Sequence, residues 1–438
     1  LMIKRAICLL AVLFSLPAFA SELSERIQTD YDEHLGALFD HFHRNPELST
    51  VETETARRMA LELSLAGFDV TEGVGGTGVV AMMENGEGPL VMMRADMDGL
   101  PVEEKSGLAN ASRAKQKDPI TGNDVFVMHA CGHDVHITSL VGTARHMASH
   151  RDEWTGTLML VVQPAEERVL GARAMRDDEI WERFGKPDYA LAFHVASSGT
   201  AGVINVQEGS PYAGADTVDI IIHGVGAHGA SPHRGKDPIV LGSQIVLALQ
   251  TLVSRELSPR DPGVVTVGSF HSGTKHNIIS DRAHLQLTVR NTSEATRQIL
   301  LDGIVRIAEN MGRVAGLPED KLPEVIISNE SVPPVVNDAP LVRRLRAAWV
   351  EGMGEASVVD IPTKGMGAED FPFFTQDPEI SSVYWAVGGT PQEAFETEAA
   401  GGPPVPSHHS PLFKITPEPS VTAGVESTVL ALKTLMQE

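Results

Sequence analysis

The segment His129-Ala130-Cys131-Gly132-His133-Asp134-Val135-His136 places a thiol among three imidazoles in a loop leading into a helix. Thiolate and imidazole both ligate zinc and its neighbours, whereas carboxylate is the harder donor. A cysteine two residues from a histidine is not yet a tetrahedral site, and a buried free cysteine beside ordinary histidines is the competing reading. A second segment, Val162-Gln163-Pro164-Ala165-Glu166-Glu167, sets two adjacent carboxylates just after an apolar run. One could hold a metal while the other takes a proton from bound water, whose pKa a metal brings to ~7. An isolated acidic pair is otherwise a solvated helix start. Phe193-His194 ends another apolar run, and Ser407-His408-His409-Ser410-Pro411 lies near the C-terminus. Each element is ordinary alone; together they could build a two-metal site.

The elements around these residues alternate. Tyr31 to His43 carries apolar residues at helical spacing, and Ser49 to Leu65 reads as a second helix that Thr50 or Thr53 could cap. Gly78 to Met83 and Pro89 to Met93 read as buried strands flanking the turn Asn85-Gly86-Glu87-Gly88. A polar stretch from Glu103 to Asp124 has no period. Ile137 to His150 returns to helix, Gly156 to Val162 is a strand, and Ala190 to Phe193 another. Such alternation predicts an α/β fold with its site at strand ends. Residues 214–328 differ: strand Thr217–His223, helix Ile239–Ser254, strands Gly263–Phe270 and Ala283–Arg290, helix Thr296–Ala315, strand Glu324–Asn329. That order is βαββαβ, the ferredoxin-like pattern. The expected organisation is a catalytic α/β domain of residues 21–213 and 329–438, with 214–328 inserted. Asp338–Glu351 and Thr422–Met436 read as helices, and Ser382–Val387 as a strand.

Composition narrows the classes. The chain has 438 residues, 42% hydrophobic and 21% charged, enough for a packed core and too apolar for wholesale disorder. Its net charge of −23 argues against a nucleic-acid partner. Residues 2–20 combine Lys4-Arg5, a short apolar run and Ala18-Phe19-Ala20, the pattern of a cleaved export signal, which implies a periplasmic or secreted protein. That run is shorter than the ~18 residues of a membrane span, and no later segment is expected to span. Removal of residues 1–20 leaves Cys131 as a lone thiol, in a compartment where disulfides are usual.

At this point the chain resembles the M20 metallopeptidase family, most of all its aminoacylase and hippurate-hydrolase branch, which also holds the plant auxin-conjugate hydrolases. The matching stretches run from Leu35 to the C-terminus: His43 to Leu48, Arg94-Ala95-Asp96-Met97-Asp98-Gly99-Leu100-Pro101, His129 to Asp134, Gln163 to Glu167, Gly226 to His233, Gly367-Ala368-Glu369-Asp370-Phe371 and His409-Ser410-Pro411. The resemblance implies a catalytic α/β domain with an inserted lid that also dimerises. It places metal ligands on Cys131, His133, Glu167, His194 and His409, with His408 as rival to His409. It places the general acid/base on Glu166 and a carboxylate that orients the site on Asp98. His129 and His136 fall behind the ligands. In the lid, His228 matches a residue that polarises the scissile carbonyl in the partner's active site, Asn277 a substrate-contacting amide, and Arg290 an arginine facing the substrate carboxylate. A planar guanidinium binds carboxylate in two places, which suits Arg290 to that task. Gly99 stands where alanine is usual, Ser280 where proline is usual, and residues 109–124 are more polar or longer than typical; these bear on substrate preference.

The implied cofactors are two divalent ions, with Zn, Mn, Co or Ni compatible with a thiolate, imidazole and carboxylate set. The implied reaction is hydrolysis of an N-acyl amino acid by metal-activated water, in a homodimer without nucleic-acid or membrane partners. A dipeptidase or carboxypeptidase of the same fold is the near rival. A periplasmic metal- or solute-binding protein is the distant one, against which Glu166 beside Glu167 argues, since a carrier needs no spare base.

Overall fold

The computed structural model describes residues 22–363 and 365–437. The export signal read from residues 2–20 lies outside them. The central sheet has eight strands in the order Asp69–Val74, Gly78–Asn85, Gly156–Gln163, Leu90–Asp96, Tyr189–Thr200, Ser381–Thr390, Ile204–Asn205, Val358–Val359. Its middle is parallel: Leu90–Asp96 runs parallel to both its neighbours, and Ser381–Thr390 runs parallel to Tyr189–Thr200. Helices cover both faces, so the central strands are continuous apolar runs, as in Leu158 to Val162. Val91, Met93 and Ala95 meet the helical layer that includes His133–Ser149 and Pro417–Met436. Met92 points the other way, into a smaller layer with Met175, Trp181 and Phe374. Each fully buried large side chain of this kind contributes about 1.5–3 kcal/mol.

The two strands flanking Asn85-Gly86-Glu87-Gly88 do not pair with each other. Gly156–Gln163 lies between them, antiparallel to one and parallel to the other. The strand order also creates the crevice. Leu90–Asp96 leads to the strand on one side of it, while Tyr189–Thr200, on its other side, leads on to Ser381–Thr390. Side chains at the carboxyl ends of these strands converge there.

Residues 214–327 form a second sheet, antiparallel, in the order Gly263–Ser272, Arg282–Asn291, Gly214–His223, Glu324–Ile327. Helices Pro238–Thr251 and Glu294–Val314 pack on one of its faces around Ile220, Ile245, Leu285, Leu287 and Ile304. A two-residue ribbon, Ala227–His228 against Ile278–Ile279, projects from this sheet. One expectation is corrected here. The 19-residue segment Pro238–Glu256 is long and apolar enough to cross a membrane by length and composition. Its apolarity has two destinations: Leu241, Ile245, Leu249 and Leu252 are buried on the sheet, while Ile239, Val240 and Leu247 are exposed. The polar stretch after Glu103 holds a short ribbon, Lys115–Lys117 with Asp124–Phe126. Helix Thr53–Leu65 starts later than predicted, and neither threonine caps it; Glu47 accepts from Thr55 N–H instead.

One ion pair ties the first helices to the site. His43, at the end of helix Gly36–Arg44, is buried with Nδ1 2.7 Å from Asp134 Oδ2 and Nε2 3.4 Å from Glu104 Oε1. Burial opposes its charge, yet the contacts with Asp134 and Glu104 carry its pKa up to about 10. Its folded pKa lies above the ordinary ~6.5, so the tie acts fully below that pH and fades as pH rises through about 10. The stability gap between wild type and His43→Gln, from urea unfolding, should therefore be largest near pH 6 and shrink toward pH 10. A gap that does not change with pH would contradict this.

Candidate metal centre

The site begins where strand Gly156–Gln163 stops. Pro164 cannot extend the ladder, Ala165 is left-handed at φ 49°, and Glu166–Arg168 make a single tight turn. Carboxylates behind the turn hold its backbone. Ala165 N–H donates to Glu52 Oε1 at 2.8 Å, Glu166 N–H to Asp98 Oδ1 at 3.2 Å and Glu167 N–H to Asp98 Oδ2 at 3.0 Å. Ser49 Oγ donates to the same Asp98 carboxylate at 2.6 Å. Asp98 therefore fixes both glutamates through their main chains and leaves their side chains free.

The thiol and imidazole come from the next segment. Gly132, φ 85°, sits between Cys131 and His133 at the start of helix His133–Ser149. A Cβ there would be left-handed and would collide with Val195 Cγ1, so only glycine lets the loop close on the strand that carries His194. Cys131 Sγ then lies 3.4 Å from His194 Nε2. His194 Nδ1 donates to Val195 O at 2.7 Å, which turns Nε2 outward as an acceptor. His133 Nδ1 is 3.3 Å from Asp98 Oδ1, and its Nε2 lies 3.6, 3.8 and 4.0 Å from oxygens of Asp96, Glu166 and Glu167. His409 Nε2 is 3.3 Å from Glu167 Oε2.

A buried charge network stands behind these donors. Arg94, 1% exposed, donates to Gln163 Oε1, Asp96 Oδ2 and Glu369 Oε1, each at 2.7 Å. Gln163 donates to Asp370 at 2.6 Å, and Tyr384 donates to Glu369 Oε2 at 2.6 Å. Glu166, Glu369 and Asp370 present oxygens within 4.8 Å of one another. Burial and the charges of Glu369, Glu167 and Asp370 hold the Glu166 carboxyl well above the usual range.

The donor set fits divalent cations. Three-donor groups form from Cys131, His133 and His194, from Cys131, Glu167 and His409, and from His133, Glu166 and Glu167. Both His133 nitrogens and Glu167 Oε1 are buried without a hydrogen-bond partner, so the fold leaves these donors unpaired. The field favours positive charge. Burial alone would lower the His133 pKa, yet Asp96, Asp98 and Glu167 carry it to about 10. Burial and the same kind of carboxylates push the Cys131 thiol up, which a bound cation would reverse.

Other histidines are committed elsewhere. His136 Nδ1 meets Asp96 Oδ1 at 2.5 Å and its Nε2 accepts from Val195 N–H at 2.8 Å, leaving no lone pair for a metal. Burial lowers its pKa to about 3, which keeps it neutral. His408 Nε2 accepts from Ser197 N–H at 3.1 Å, while neighbouring His409 reaches Glu167. His129 is buried with both nitrogens unpartnered and its pKa brought down by burial to about 4. The site residues expected on the second sheet and its ribbon lie outside the cluster. His228 is exposed on its ribbon and accepts from Ala230 N–H at 3.0 Å. Asn277 adjoins it, its carbonyl accepting from Gly229 N–H at 2.8 Å. Arg290, on an inner strand of the second sheet, donates to Thr288 Oγ1 at 2.6 Å and has no carboxylate partner among the described residues.

Sequence reasoning gave no role to Glu52, Arg94, Asp96, Glu369, Asp370 or Tyr212. Arg94 and Asp96 did leave a signal: they are charges inside a strand whose neighbours are all apolar. Tyr212 left none. Its ring lies 6.2 Å from the His194 ring and 5.1 Å from Tyr384. Burial, Glu369, Cys131 and Glu166 push its phenol well above its ordinary range.

Comparison with known proteins agrees with this geometry. The profile of peptidase family M20/M25/M40 matches residues 92–400. A hippurate hydrolase of Campylobacter jejuni is 34% identical over 336 residues, which cover 76% of this chain and 83% of that protein. IAA-amino acid hydrolase ILR1-like 2 of Arabidopsis thaliana is 33% identical over 375 residues, covering 85% and 79%. The solved structure of the Bacillus subtilis YXEP protein, a dinuclear metal-binding peptidase of the M20 family, matches with a TM-score of 0.75 at 26% identity and covers 94% of this chain and 99% of its own. With its fold and most of its length in common with these proteins, the chain belongs to peptidase family M20/M25/M40.

Proposed function

We propose that this chain is a metal-dependent amidohydrolase that releases the amino acid from N-acyl amino acids, by way of Glu166 as proton carrier. The observation that carries the reading is the division between two adjacent carboxylates. Both carboxylates group with His133, but only Glu167 also groups with Cys131 and His409, and only Glu166 with Glu369 and Asp370. A carboxylate beside the donors, raised above the ordinary carboxylate range by burial and neighbouring charges, suits general acid/base work. Hydrolysis of hippurate and of IAA-amino acid conjugates, the activities named for two relatives, is of this class.

Cys131, His133, Glu167, His194 and His409 would hold two divalent ions, with Zn, Mn, Co and Ni all compatible with the donors. Bound there, the ions supply Lewis acidity that brings a water toward a pKa of ~7. Glu166 takes the proton of the attacking water at a carboxylate oxygen and returns it to the amide nitrogen as the C–N bond breaks. Asp98 keeps Glu166 and Glu167 in place through their backbone N–H groups. Arg290 receives the free carboxylate of the substrate, and the side-chain amide of Asn277 contacts the substrate.

His228 polarises the scissile carbonyl across a two-fold dimer. It is exposed and far along the lid ribbon, joined by no hydrogen bond or ion pair to the cluster among the described residues. The exposed Ile239, Val240 and Leu247 on the lid helix give that dimer an apolar face to bury.

Replacing Glu166 by Gln should keep the metal content by elemental analysis and cut kcat on benzoyl-amino acids by ~10²-fold or more. Loss of metal from that variant, with Glu167→Gln keeping it, would exchange the two roles. The dimer makes its own prediction. Chains carrying Glu166→Gln and chains carrying His228→Ala, each inactive, are co-expressed. Mixed dimers then contain one intact site, and random pairing should return about a quarter of wild-type activity. Mixed dimers verified by mass but no more active than their parents would rule out action in trans.

A further inference from the structure

We propose that Tyr212 is a catalytic residue of this chain: its hydroxyl donates a hydrogen bond to the carbonyl oxygen of the bound amide and strengthens that bond as the oxygen gains negative charge. The inference rests on the amidohydrolase reading and adds a residue to it.

Two tyrosines stand at the centre of the molecule, and they are satisfied differently. Tyr384 donates to Glu369 Oε2 at 2.6 Å. Tyr212 is half-buried, its ring meets that of Tyr384 edge-on at 5.1 Å, and its hydroxyl makes no hydrogen bond to any described residue. The acceptor nearest in kind is already used, because Glu369 also takes Arg94 on its other oxygen. A tyrosine hydroxyl that no protein group takes is left to donate to what the site binds.

Its position selects that partner. The ring tilts toward His194, with centroids 6.2 Å apart, and Gly367 lies against its edge, where a Cβ would stand 3.8 Å from Cδ1. Burial and the charges of Glu369, Cys131 and Glu166 push the phenol up, so its proton stays available to donate. The backbone holds it there. Tyr212 ends strand Gly209–Tyr212, paired with Val335, and the next residue, Ala213, donates its N–H to Gly367 O at 2.8 Å. Gly214 then begins the first strand of the lid sheet. The residue thus sits at the junction of the two sheets, with its ring near that of His194. A fixed donor aimed at developing negative charge stabilises the transition state more than the ground state.

Tyr212→Phe removes the oxygen alone and keeps the ring packed on His194 and Tyr384. The variant should retain wild-type metal content and melting temperature. Its kcat on a benzoyl-amino acid should fall by ~10²-fold with KM within about threefold, the loss seen when one oxyanion donor is removed. A phosphinate analogue of the same substrate, with a tetrahedral oxygen in place of the carbonyl, should bind more weakly to the variant by a similar factor in calorimetry, and the product amino acid should not. An unchanged kcat, with or without a change in KM, would overturn the proposal. So would loss of metal, which would make Tyr212 a support of the site. If wild type left acyl amino acids intact, the amidohydrolase reading would fail, and equal phosphinate binding by both proteins would separately overturn the role of Tyr212.

Discussion

The guanidinium of Arg94 sits in the middle of a parallel sheet, where a charge is costly unless paired. It is paired several times over, to Asp96, Glu369 and Asp370, and it braces Gln163 as well. These contacts pin the ends of two neighbouring strands and the Glu369-Asp370 loop to one point. They also let the fold gather Asp96, Asp98, Glu166, Glu167, Glu369 and Asp370 at one end of the sheet without self-repulsion driving them apart. A single cation does not neutralise that many carboxylates. The residual field is what raises His133 and Glu166, and it is the same field that a pair of divalent ions would answer.

Within that field the backbone decides which histidines remain available. His136 and His408 each pack against His194, with ring centroids 4.6 and 5.2 Å away. Val195 N–H occupies Nε2 of His136, and Ser197 N–H occupies Nε2 of His408. Val195 O instead takes the Nδ1 proton of His194 and leaves its Nε2 facing Cys131. Three chemically identical side chains thus receive different roles from alternate peptide groups of one strand. Function follows from the pleat of Tyr189–Thr200 as much as from the identity of the residues.

The elements of the second sheet and its helices were legible in the sequence because one face of each is apolar at a fixed period; Gly214–His223 and Arg282–Asn291 largely alternate inward and outward along their length. The donors were legible because Cys131, His133, Glu166 and Glu167 sit close together in the chain, and the structure does gather them with His194 and His409. What stayed hidden depends on distant pairing. The choice between His408 and His409 turns on a peptide group at Ser197, and the place of Tyr212 turns on a short strand pairing with Val335–Asn337. Asp69–Val74 carries too many polar residues to read as a strand, because it is an edge strand that only its inner neighbour supports. Nor does local turn chemistry reveal that Gly156–Gln163 enters between the two strands flanking Asn85–Gly88.

The central claim is that the fold presents a two-ion centre and holds Glu166 beside it, outside the ligand set. Anomalous scattering from crystals of the metal-loaded protein tests it most directly. The account predicts two peaks, surrounded by Cys131, His133, Glu167, His194 and His409, with His408 and His136 still bound to the backbone of Ser197 and Val195. A single peak, or an ion ligated directly by Glu166, would contradict it.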